Sequence, residues 1–97
     1  MRTALNAEQA EVAALQILAH LAGDDDSLDR FIALTGIGLD DLKARAQEPG
    51  VLIAVLEYYL NHEPSLVAMA DATGMDPTLP AQAHHALLTA SGAEIEY

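Results

Sequence analysis

The chain has 97 residues, a formal net charge of −11 and no cysteine. That length makes one domain with a single modest core, burying about two-thirds of the unfolded surface at most. The missing cysteine excludes disulfides, thiol catalysis and cysteine-held metals. With one Phe, three Tyr and no Trp in a chain that is 52% hydrophobic, the core must be aliphatic and rich in alanine.

The first helix is expected over 7–22. Asn6 is a good N-cap, Gln9 sits at the capping-box spacing, and Gly23 is a natural stop. On a helical wheel Gln9, Ala13, Gln16 and His20 form a narrow polar stripe. Val12, Leu15, Ile17, Leu18 and Leu21 fill most of the rest, so this helix reads as largely buried. The second helix, 27–35, follows the turn Asp24-Asp25-Asp26, carries Leu28, Phe31 and Ile32 on one face, and stops at Gly36. The third, 39–47, turns Leu42 and Ala46 inward and places Lys43 and Arg45 near its end. The fourth, 49–60, opens on Pro49 and is apolar nearly all round. Only Ala54, Glu57 and Asn61 remain for a wet edge, and this helix reads as the central one. The fifth runs from Glu63-Pro64 to Thr73 with Leu66, Met69 and Ala70 inward, and Gly74 stops it. The sixth spans about 80–90, after the Asp76-Pro77 turn. Residues 1–6 and 91–97 read as frayed ends of one helical domain spanning 1–97.

The chain also repeats itself. Under a shift of 38 residues Leu18 falls on Leu56, Ser27-Leu28 on Ser65-Leu66, Phe31 on Met69 and Thr35-Gly36 on Thr73-Gly74. Such a register marks a duplicated supersecondary unit. The fold class expected is therefore all-α: a bundle of about six short helices built as two related helical hairpins.

The acids follow the helix starts. Glu8 and Glu11, then Asp24, Asp25, Asp26 and Asp29, then Asp40 and Asp41, lie in or near first turns. Glu48, Glu63 and Asp76 precede or open the later helices. A carboxylate there meets orphan N–H groups and the positive end of the macrodipole, worth roughly 0.3–1 kcal/mol each. The net charge is thus chiefly a capping pattern.

The stretch from about Leu15 to Leu88 resembles a domain-of-unknown-function family of short, all-helical bacterial proteins. Its landmarks are Leu18, Asp24 to Asp26, Arg30-Phe31, Leu34-Thr35-Gly36, Leu42, Pro49, Val55-Leu56 and Glu63. The resemblance implies a helical domain and brings no activity or catalytic residues.

Candidate chemistry is sparse. Thr35-Gly36-Ile37-Gly38 between two short helices has the look of a helix-turn-helix, with Leu42 buried and Arg45 outward. Its second helix opens with Asp40-Asp41, a poor start for meeting phosphates. Asp24, Asp25, Asp26 and Asp29 lack the spacing and distal Glu of a calcium loop. His84 and His85 are adjacent and diverge by about 100° on a helix. His20 and His62 stand near helix ends. Glu57 is the one acid within the apolar fourth helix. Tyr58 and Tyr59 are the candidate protein interface, because a domain this small is expected to leave some apolar girth of its long helices uncovered. No cofactor, metal site or catalytic residue is expected, and no membrane segment, since the longest apolar run falls far short of about 20 residues. With no leader-like start, a cytoplasmic location is expected. The leading expectation is a non-enzymatic protein-interaction or regulatory module whose partner is an unknown protein or a second copy. A nucleic-acid-associated helix-turn-helix protein is the alternative, and a small enzyme or metal protein the second.

Overall fold

Caps set the helix starts. In the computed structural model, which describes residues 5–90, the Gln9 amide donates to Asn6 Oδ1 at 2.7 Å and the Asn6 amide to Gln9 Oε1 at 3.0 Å. This reciprocal box opens α1, Ala7–Ala22. Asp24 caps α2, Asp25–Thr35, by accepting from the Ser27 amide at 3.3 Å. That places the start of α2 two residues before the expected Ser27: with Asp24 as the cap, Asp25 and Asp26 form the first turn, where their charges meet the positive end of the helix. Next come α3, Leu39–Ala44, and α4, Pro49–Leu60. The last two are α5, Glu63–Thr73, and α6, Leu79–Ala90. Here α3 ends three residues before the expected Gln47. Leu5 packs against the core and Asn6 caps α1, so these two are not frayed. The ends expected to fray at 1–4 and 91–97 lie outside the described residues.

Both Thr-Gly stops are built alike. Gly36 and Gly74 take the left-handed conformation, at φ 77° and 73°, where a side chain would be strained. Thr35 Oγ1 donates to the Phe31 carbonyl at 2.8 Å, and Thr73 Oγ1 to that of Met69 at 2.9 Å. The amides of Ile37 and Met75 return to those same hydroxyls. The correspondence stops at helix bounds and caps. α1 has 16 residues against 12 in α4, and α3 has 6 against 12 in α6.

Packing differs between the halves as well. α1, α4 and α6 each pack on the other two. α2 lies against α1 and α4, and α5 against the same pair. Ile17 and Leu21 of α1, Leu52, Val55 and Leu56 of α4, and Ala83 and Leu87 of α6 share one core, with Leu42 anchoring α3. The sixth helix is thus a core member, whereas the third, at the matching place after the first hairpin, adds only Leu42 to the buried set. The wet face of α1 is also turned from the expected stripe: Ala13 is buried, whereas Val12 is 53% exposed. The reason is that Ala10, Ala13 and Ala14 mark where neighbouring helices come close, which small side chains permit. No helix among the described residues is long and apolar enough to cross a membrane.

Two substitutions check this arrangement by urea denaturation. Leu56→Ala, at a fully buried position, is expected to cost about 2–5 kcal/mol. Gly36→Ala is expected to cost about 1 kcal/mol through its positive φ alone, since open space surrounds the position.

Candidate functional site: a cleft between α2 and α4

The wet edge of α4 is not paved over. α2 covers part of this side with Phe31, whose ring meets Tyr58 edge-on at 5.9 Å. Beside that contact lies a cleft of about 410 Å³. Arg30, Leu34 and Thr35 form its α2 wall, and Ala54, Glu57 and Tyr58 its α4 wall. Asn61 and His62 close one end. Leu34 stands 71% exposed at this site. The volume falls in the range of small-ligand and peptide-anchor pockets.

A polar network binds three helices together under the cleft. Arg30 Nη1 donates to Tyr58 Oη at 3.1 Å and to Ser65 Oγ at 3.2 Å. The two hydroxyls lie 3.3 Å apart. His62 Nδ1 sits 2.6 Å from Ser65 Oγ, and its ring stacks on Tyr58 at 6.2 Å. Burial pushes the Tyr58 hydroxyl up, but hydrogen bonds with Ser65, Ser27 and Arg30, and the Arg30 charge, outweigh it and bring the group below its ordinary 10.0. The Ser65–His62 pair has the elements of a nucleophile and base. However, Ser65 is only 9% exposed and its oxygen is shared among three neighbours. His62 is the N-cap residue of α5 with Ser65 three residues on, the spacing of a helix-start contact.

The rings of the two expected interface residues are covered. Tyr58 is 5% exposed and Tyr59 fully buried, so neither ring offers free surface. Adjacent residues diverge by about 100° on a helix, and α4 is covered from both directions: by α1 and α6, and by α2 and α5. The open surface flanks Tyr58, in the cleft that it lines. Tyr59 Oη is buried with no hydrogen-bond partner among the described residues. Burial, then the Asp24 charge and Tyr58, hold its ionisation well above 10.0.

The other singled-out residues scatter. His84 Nε2 meets Glu57 Oε2 at 3.0 Å, tying α6 to α4, while His85 is exposed. His20 lies 4.0 Å from Asp24, itself occupied as the cap of α2. Among the described residues no group of three or more His, Cys, Asp or Glu is placed to hold a metal. The turn between α2 and α3 exists, but α3 is six residues long, and Arg45 beyond it pairs with Glu48 at 3.0 Å. Arg30 and Ser65 escaped the sequence reading as site residues. Their partners lie 28 and 35 residues away in the chain, so no local signal marks them.

A family model described as Protein of unknown function (DUF3572) matches residues 7–90. The chain belongs to the DUF3572 family. Its matched span runs from the first residue of α1 to the last of α6, so all six helices fall inside the DUF3572 unit. No curated protein matches this DUF3572 chain, and no solved structure does either.

The two tyrosines give opposite signatures in stability against pH. Above pH 10 the unfolded chain releases the Tyr59 proton while the folded chain retains it, so stability falls as pH rises. Tyr58 has the reverse sign: its contribution grows as pH rises through its lowered value and is complete above 10.0. Tyr59→Phe is expected to flatten the alkaline loss and leave stability at pH 7 unchanged or raised, because it removes an unpaired buried hydroxyl. Tyr58→Phe is expected to cost about 1 kcal/mol at pH 7. Urea midpoints across pH 7 to 11 check both.

Proposed function

We propose that this DUF3572 chain is a non-enzymatic protein-interaction module, regulatory in role, of the bacterial cytoplasm, and that it docks its partner in the cleft between α2 and α4. The observation that carries the reading is Leu34, a large apolar side chain 71% exposed at a largely apolar cleft. Apolar surface held open at a concave site is the ordinary mark of a docking position. A net charge of −11 opposes close approach of a second copy, which favours a different protein as the partner. The same charge, and Asp40 and Asp41 in the first turn of α3, weigh against nucleic acid. The Glu57–His84 and His62–Ser65 contacts are the features that would favour an enzyme, yet the first pair already occupy each other at 3.0 Å and Ser65 is buried and shared among three neighbours.

A photo-crosslinking side chain at Leu34, irradiated in host cells, tests the proposal. A discrete adduct that is absent when the same group replaces exposed Glu8 of α1 is expected. An adduct of twice the chain mass would identify self-association. No adduct at position 34, or identical smears at both positions, would remove the docking reading.

A further inference from the structure

Ser65 Oγ is the hub of the network under the cleft, and a hydroxyl has one proton to give and two lone pairs to fill. Arg30 Nη1 donates to it at 3.2 Å. Tyr58 Oη lies 3.3 Å from it and His62 Nδ1 2.6 Å. A contact of 2.6 Å is shorter than N–H···O bonds run, about 2.7–3.2 Å, and falls where a hydroxyl is the donor. Ser65 therefore donates to Nδ1, and Tyr58 donates to Ser65. The hydroxyl then accepts twice, from Arg30 and Tyr58, and donates once, which exhausts it. In this order the His62 ring is neutral and carries its proton on Nε2.

We infer that the start of α5 is an acid-released latch, closed while His62 accepts from Ser65 and loosened when the ring gains a second proton. Charging turns Nδ1 from an acceptor into a donor. Ser65 must then turn its own proton to Tyr58, which leaves Tyr58 to find its acceptor at Ser27. The new charge also falls in poor surroundings. Arg30 Nη1 and His62 Nδ1 share one oxygen, so they stand within about 6 Å of each other, close enough for like charges to repel. His62 is the N-cap residue of α5, at the positive end of that helix. The neighbouring carboxylates are elsewhere engaged or turned away. Glu57 of α4 lines the same cleft but meets His84. Glu63, next in the chain, is exposed. Among the described residues no carboxylate comes within ion-pair distance of Arg30 or His62. The His62 ring stacks on Tyr58 and closes one end of the cleft. The latch thus sets that end wall whatever occupies the cleft.

Nuclear magnetic resonance of the intact, isotope-labelled chain tests the latch in two steps. At about pH 7.5 the ring nitrogens of His62 are expected to show the proton on Nε2 and none on Nδ1. The opposite tautomer would overturn the inference. The pH is then lowered until the ring signals of His62 report the charged form. Hydrogen exchange follows the Leu66 amide, which donates to the His62 carbonyl at 3.1 Å. Its protection, corrected for the intrinsic effect of pH on exchange, is expected to fall about fivefold, the loss of one net hydrogen bond. Unchanged protection beside a charged ring would overturn the latch. His62→Asn places an acceptor where the histidine has Nδ1, suits an N-cap and has no proton to gain. That variant is expected to keep its protection at both pH values. An equal acid loss in the variant would assign the effect to the other histidines and overturn the latch. The first two measurements use the unaltered chain, so they decide the matter even if the variant unfolds. The crosslink at Leu34 judges docking separately.

Discussion

Everything in this fold answers to the need to cover α4. That helix is apolar around nearly all of its circumference, and Val51, Leu52, Val55, Leu56, Tyr58 and Tyr59 are all buried. A chain of 97 residues with four aromatic side chains cannot do this with bulk. It does it with proximity. Ala10, Ala13 and Ala14 of α1 and Ala83 of α6 are buried, and small side chains shorten the distance between helix axes. α6 then fits against both long helices, and α2 and α5 cover what is left.

The cleft is what this covering leaves behind. The buried core demands that Phe31 and Tyr58 meet, which fixes α2 against α4 along one line. Beyond that line Ala54 and Glu57 are too small or too polar to draw α2 down on them. The polar network then serves two ends. It satisfies the Tyr58 and Ser65 hydroxyls at positions that are nearly buried, and it holds α2, α4 and α5 in one register through Arg30. An occupant that engages Arg30 therefore touches a group on which three helices converge.

Much of the fold was legible because its signals are local. Asn6 with Gln9, the Pro49 start and the two Thr-Gly stops are decided within a few residues of chain, and they place α1, α4 and α5 at the expected bounds. The start of α2 was misplaced because Asp25 and Asp26 serve equally well as turn residues and as first-turn acids. What was not legible depends on distant partners. Val12 and Ala13 exchange their expected places because hydropathy ranks side chains by transfer energy, and close approach ranks them by size. Uncovered girth was expected around Tyr58 and Tyr59 because the residues that cover Tyr58, Phe31 of α2 and Ser65 of α5, are brought to it only by the tertiary fold. Arg30 meets its hydroxyls across 28 and 35 residues of chain, a separation no periodicity can reveal. Leu34 stands 71% exposed although it is as apolar as its buried neighbours in α2, so its exposure is set by packing and not by composition.

The scarcity of aromatic residues has an optical consequence. The chain has no tryptophan, one phenylalanine and three tyrosines. Phe31, Tyr58 and Tyr59 form a continuous edge-to-face cluster, with centroid separations of 5.9 and 5.0 Å. Among the described residues the near-ultraviolet dichroism therefore originates at a single locus, which reaches the α2–α4 cleft at Tyr58. The protein carries a built-in chromophore at the place where an occupant would be felt, and the spectrum of the unlabelled chain reports on that locus.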